Sequence, residues 1–149
     1  MDNKLYIASL SYGKDSLAMI HVIRDELDMP LDRIITADVW ATDTIPAELP
    51  PMVEFKEKAD RIIKERWGIE VEHLCATRSF QMPLNVGDSK WRQKVTYQSE
   101  FYRIRKQTRK THAGKIMGFP FQNGAWCNDL KRQPIMSFIQ RLDGRWCNI

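Results

Sequence analysis

The segment Ser11-Tyr12-Gly13-Lys14-Asp15-Ser16 does most to limit what this chain can become. It follows an apolar run, Leu5, Tyr6, Ile7, Ala8 and Leu10, and precedes apolar residues at helical spacing, Leu17, Met19, Ile20 and Ile23. The order is strand, short loop, helix. A helix's first N–H groups lack partners within the helix and carry the positive end of its macrodipole, so a small-residue loop feeding a helix makes an anion site. Gly13 permits a positive φ and lets a ligand come close to the backbone. Ser11 and Ser16 add hydroxyl donors, and Lys14 adds a mobile ammonium. Phosphate is the ligand chemistry this implies, whatever compound carries it.

The rest of the chain continues the alternation. The first strand is expected near Lys4–Leu10 and a helix from Ser16 to Leu27, broken by Pro30. Arg33–Trp40 reads as the second strand. After a loop punctuated by Pro46, Pro50 and Pro51, a helix carries Met52, Phe55, Ala59, Ile62, Ile63 and Trp67, with Gly68 ending it. Ile69–Cys75 reads as a third strand, and Thr77–Val95 has no clear period. Tyr97–Lys110 is expected to form a helix with Tyr97, Phe101 and Ile104 facing inward, and Lys115–Gly118 a short fourth strand. Pro134 is expected to restart a helix bearing Ile135, Phe138, Ile139 and Leu142, ended by Gly144, with Trp146–Ile149 beginning a last strand. This predicts an α/β fold, a mainly parallel sheet flanked by helices, Rossmann-like. In such folds ligands lie beyond the carboxyl ends of the strands, where residues 11–16 fall.

The 149 residues fit one domain, 1–149. A net charge of +4 suits a polyanionic ligand without choosing between nucleotide and nucleic acid. No apolar run approaches the ~20 residues that span a bilayer, and the N-terminal stretch lacks the pattern of a signal peptide. Cys75, Cys127 and Cys147 are an odd set without a C-x-x-C pair, which argues against a disulfide framework or zinc knuckle. The chain therefore reads as cytoplasmic, with reduced thiols and no membrane partner.

The loop is neither a Walker A motif, since Asp15 follows Lys14 and the upstream glycine is missing, nor G-x-G-x-x-G. Its S-x-G-K-D-S order after the first strand resembles the PP-loop of the adenine nucleotide alpha-hydrolase (N-type ATP pyrophosphatase) superfamily. Asp38, with Thr42-Asp43-Thr44-Ile45-Pro46 after it, and Gly118-Phe119-Pro120 followed by Trp126-Cys127-Asn128-Asp129-Leu130-Lys131 and Pro134, are similar to the phosphoadenosine phosphosulfate (PAPS) reductase-like branch, many of whose members are phage-encoded. The resemblance implies a PP-loop fold and a small-molecule adenine nucleotide (ATP, APS or PAPS). Its phosphates would lie on Ser11, Gly13, Lys14, Asp15 and Ser16, and its base near Asp38. Asp15 has two readings: a helix N-cap, or a ligand of Mg²⁺ bridging to phosphate. Trp126, Cys127, Lys131 and Arg132 are candidates for packing or for substrate and phosphate contact, the two cations following Cys127 by one helical turn.

The E-C-G-x-H cysteine motif that PAPS reductases use is not in this sequence, and Cys147 lies in Arg145-Trp146-Cys147-Asn148-Ile149. The chain reads as a short form, and its catalytic residues stay unassigned. Attack at the α-phosphorus of a nucleotide, a non-catalytic or inhibitory nucleotide-binding module, and a part in nucleic-acid sulfur modification all remain open. His21 reads as a packed helical residue, His73 as an alternating strand residue and His112 as part of a basic loop; spacing places none beside a nucleophile. The stretch from Lys90 to Lys115 mixes cations with Trp91, Tyr97, Phe101 and Tyr102, which suits a solvated face, a nucleotide pocket wall or nucleic acid. An unpaired strand edge near the C-terminus would favour a homo-oligomer.

Overall fold

The computed structural model describes residues 4–80, 91–102, 125–142 and 146–148. Its main sheet has the order β3-β2-β1-β6. Strand β1 (Leu5–Ser9) lies between β2 (Arg33–Asp38) and β6 (Trp146–Asn148) and is parallel to both, with Ile7 opposite Arg33 and Leu5 opposite Trp146. Strand β3 (Val71–Cys75) lies at the outer side of β2. A strand covered on both faces reads as an unbroken apolar run, and Ile7, Ala8, Ile34 and Ile35 are all fully buried.

Successive strand residues point to opposite faces, and the core divides accordingly. Ala8 and Ile34 pack with Ile20 of α1 (Lys14–His21) and with Ala59 and Ile63 of α2 (Pro50–Trp67). Ile7 and Ile35 pack with Ile139, Ile135 and Phe138 of α4 (Ala125–Gln140). The result is a mixed α/β fold in which a parallel sheet is flanked by helices, a generic Rossmann-like arrangement. Among the described residues no helix is long and apolar enough to cross a membrane.

The described residues form two compact units, one of 4–37, 48–74, 135–142 and 146–148, the other of 38–47, 75–80, 91–102 and 125–134. The second has its own small core of Val39, Ala76, Val95 and Leu130. It contains an antiparallel hairpin of β4 (Thr77–Phe80) and β5 (Trp91–Lys94) and the helical residues 97–102, labelled α3. Thr96 and Ser99 cap α3 reciprocally: the Thr96 N–H donates to Ser99 Oγ at 2.9 Å, and the Ser99 N–H donates to Thr96 Oγ1 at 3.1 Å.

Several expected boundaries move. α1 begins at Lys14 rather than Ser16 and then widens into a π-helical turn, Val22–Glu26, where the Leu27 N–H donates to the Val22 carbonyl at 2.9 Å. The helical run therefore stops before Pro30, and Asp28 takes a left-handed φ of 47°. α2 starts on Pro50 and Pro51, whose missing N–H groups cost nothing in a first turn, and ends as expected on Gly68 at φ 69°. On α2, Ala59 and Ile63 are buried, whereas Phe55 and Ile62 are exposed.

Helix α4 does not restart at Pro134; it begins at Ala125 and runs through the proline. A proline inside a helix removes one backbone hydrogen bond, and here apolar burial of Leu130 and Ile139 fixes the helix on either side. In α3, Tyr97 packs against the small core as expected, but Phe101 is exposed. The expected elements over 103–124, with Ile104, His112 and Gly118-Phe119-Pro120, lie outside the described residues, as does Gly144.

Candidate functional site

Strand β1 ends at Ser9, and the Leu10 N–H still donates to the Ile35 carbonyl at 2.8 Å. Residues 11–13 then turn the chain into α1. Gly13 is the N-cap, at φ −73° and ψ 157°. The positive φ that Gly13 permits is taken instead by Tyr12, at 59°. The Tyr12 side chain is almost fully buried, and its backbone makes the reversal while the glycine stays extended. Gly13 is left open, because a β-carbon built there meets only Ser11 Oγ, at 3.5 Å.

The two serines form a hydroxyl chain. Ser11 Oγ donates to Ser16 Oγ at 3.1 Å, and Ser16 Oγ donates to the Gly13 carbonyl at 2.9 Å. No side chain caps the first turn of α1, so its leading amides keep their donor capacity. Asp15 is therefore not the N-cap; it lies inside the first turn, exposed, where its charge complements the helix dipole. Ser11, Gly13 and Lys14 are likewise exposed, and Ser16 is half-buried. Four of the five loop residues singled out in the sequence are thus exposed, and Ser16 is partly so.

No group of three or more His, Cys, Asp or Glu side chains with metal-ligand geometry occurs among the described residues. A magnesium ion at Asp15 would accordingly rest on one carboxylate, with ligand oxygens and water completing its shell. This is a usual arrangement for Mg²⁺ beside phosphates, and Asp15 fits it.

The other predicted residues belong to the second unit. Asp38 ends β2 and is half-buried. Beyond it, Thr42 Oγ1 accepts from the Ile45 N–H at 3.1 Å and shapes the turn that contains Asp43 and Pro46. Trp126, Cys127, Lys131 and Arg132 all lie on α4, with Cys127 and Lys131 one turn apart, and Lys131 and Arg132 exposed. In the basic stretch, Lys94 is engaged within the fold: its Nζ lies 3.5 Å from the centroid of the Trp40 ring and donates to the Asp43 carbonyl at 3.1 Å.

Beneath the loop lies a polar cluster that sequence reading did not assemble. The Tyr12 hydroxyl donates to Asp60 Oδ1 at 2.5 Å, and His73 Nε2 lies 3.0 Å from Asp60 Oδ2 and 3.4 Å from the Tyr12 hydroxyl. Both Asp60 oxygens are thus within hydrogen-bond distance of a partner. Lys56 Nζ sits 5.0 Å from the centroid of the Tyr12 ring and pairs with Glu48 at 2.8 Å. His73 is thus paired with a carboxylate rather than being only an alternating strand residue. The one sequence signal was the bulk of Tyr12 in a loop otherwise made of small and charged residues.

His21 is not packed in the interior. Its Nδ1 lies 2.6 Å from Asp25 Oδ2 at an exposed site. Asp25 also accepts from the Trp67 indole N–H at 2.8 Å and pairs with Arg66 at 2.7 Å. The indole hydrogen bond foremost, then the His21 bond and the Arg66 charge, hold the Asp25 carboxyl below its ordinary value of 3.8.

No protein-family model, curated protein or solved structure matches this chain.

Proposed function

We propose that residues 11–16 bind the phosphates of an adenine nucleotide (ATP, APS or PAPS) and that the chain is a PAPS reductase-like protein of the PP-loop type. One observation carries this reading: an exposed loop with an open Gly13 leads from a central parallel strand into a helix whose first turn no side chain caps. The leading amides of α1 would donate to phosphate oxygens, with Ser11 and Ser16 adding hydroxyls and Lys14 a charge that follows the ligand. The order of the loop residues and of the later Asp38 and Trp126–Lys131 segments supports adenine nucleotide over other phosphates, through resemblance.

In a reaction, an acceptor would attack the α-phosphorus. The bond from the α-phosphorus to the bridging oxygen would break, and the electron pair would leave with that oxygen on pyrophosphate from ATP, or on sulfate from a sulfonucleotide. Lys14 and the helix amides would stabilise the charge that gathers on the phosphate oxygens. Mg²⁺ at Asp15 would supply further neutralisation of that charge. Asp38, Lys131 and Arg132 belong to the second unit and enter this reading through the resemblance alone.

Thermal-shift measurements with ATP, AMP, APS and PAPS, each with and without Mg²⁺, test the binding reading. A ligand at about 100 times its Kd adds about 2.7 kcal/mol of stability, a rise of about 5–10 °C for a chain this size. No shift with any of the nucleotides would remove the reading. Binding without turnover in the presence of candidate acceptors would instead assign a non-catalytic module.

A further inference from the structure

We propose that Asp60 and His73 are positioning residues that hold Tyr12 in its left-handed conformation and thereby fix the shape of the anion loop. The consequence for ligand affinity rests on the nucleotide reading above; the effect on the loop itself does not.

Tyr12 is an aromatic residue at φ 59°, a region that a β-carbon makes unfavourable and that glycine or asparagine usually fills. Such a conformation persists where the surroundings over-determine it. The surroundings here are specific. The ring is 4% exposed and packs in the core with Ile20, Ala59 and Ile63. Its hydroxyl ends on Asp60 Oδ1, whose other oxygen is held by His73. Lys56, anchored by Glu48, lies near the ring.

The cluster draws on α2 and β3, two elements far from the loop in sequence, and ties both to the residue immediately before Gly13. Both Asp60 oxygens are engaged and Tyr12 is buried, whereas His73 is part-exposed. Their effect is exerted through the backbone: a released Tyr12 would relax to negative φ and rotate the Gly13 peptide that leads into the α1 amides.

The experiment compares the full-length chain with Tyr12→Phe, Asp60→Ala, His73→Ala and His73→Gln by backbone ¹⁵N relaxation without ligand, and by titration with Mg²⁺-ATP. The wild-type amides of residues 12–16 are expected to show order parameters of about 0.85, and Tyr12→Phe, Asp60→Ala and His73→Ala to lower them toward about 0.6 while leaving β1 unchanged. His73→Gln keeps an N–H donor toward Asp60 and is expected to restore the rigid loop. Affinity is expected to fall about tenfold in the loosened variants, as loss of one hydrogen bond to a charged group predicts.

Tyr12→Phe keeps the buried ring, so it carries the test even where Asp60→Ala does not fold. A loop as rigid in Tyr12→Phe and His73→Ala as in the wild type would overturn the proposal. Loosened loops in a protein that does not bind nucleotide would leave the positioning role standing and remove the nucleotide reading instead.

Discussion

Gly13 sits at φ −73° and ψ 157°, a region open to any L-residue, and an added methyl would meet only Ser11 Oγ, at ordinary contact distance. Gly13→Ala should therefore fold. Alanine is the poorer N-cap by up to about 1 kcal/mol, while the stiffer unfolded chain returns about 0.4–1 kcal/mol. The two nearly cancel, and Tm should stay within about 2 °C of the wild type. Binding is different. The methyl would stand beside the Ser11 hydroxyl, where the proposed phosphate would approach the backbone. Displacing the anion from one charge-assisted hydrogen bond costs about 1.5–3 kcal/mol, or about tenfold to a hundredfold in Kd. Calorimetric titration with Mg²⁺-ATP beside thermal unfolding reads both quantities. An unchanged Kd would refute close approach at Gly13, and a Tm loss well beyond about 5 °C would refute the unstrained geometry.

Other substitutions probe separate parts of the account. Lys14→Ala removes an exposed side chain, so nucleotide affinity should drop about tenfold or more with little change in denaturant midpoint. Glu48→Leu removes the carboxylate paired with the buried Lys56 ammonium and should cost about 3 kcal/mol in urea unfolding; a loss below about 1 kcal/mol would show that this pair does not hold Lys56 in place. The Asp25 carboxyl is held below 3.8, foremost by the Trp67 indole. Its contribution is present above about pH 4 and is lost as pH falls through the lower folded value. Asp25→Asn should accordingly lower Tm at neutral pH and flatten the acid limb of a Tm–pH profile. Ile35→Ala, at a fully buried strand position between two helical layers, should cost about 2–5 kcal/mol.

Features carried by local chemistry were legible in the sequence. The apolar run of β1, the Pro50-Pro51 start and Gly68 stop of α2, and the passage from strand to loop to helix each depend on a few adjacent residues. The β4–β5 hairpin was not legible, because Thr77-Arg78-Ser79-Phe80 carries too little apolar alternation to register as a strand. Its partner β5 holds a similar mixture. Pro134 misled for a related reason. A proline favours a first turn locally, yet packing around Leu130 and Ile139 outweighs the hydrogen bond it removes.

Within the candidate site, the residues of the loop were legible, but which of them takes the positive φ was not. Glycine is the default for a positive φ, and nothing local says that Tyr12 takes it. The cause lies at Asp60 and His73, 48 and 61 positions away along the chain. Only the fold brings α2 and β3 beneath residues 11–16, and with them the carboxylate that meets the tyrosine hydroxyl. The open state of Gly13 follows from the same anchor, so the strained residue and the accessible one are adjacent by construction.

Titration of the ¹⁵N-labelled chain with Mg²⁺-ATP, followed at single amides, tests the nucleotide site most directly. The account predicts saturable shifts that begin at Gly13, Lys14, Asp15 and Ser16, are the largest in the spectrum, and are greatly weakened by Lys14→Ala. Saturable shifts confined to other residues, or none at residues 11–16 at any ligand concentration, would contradict it.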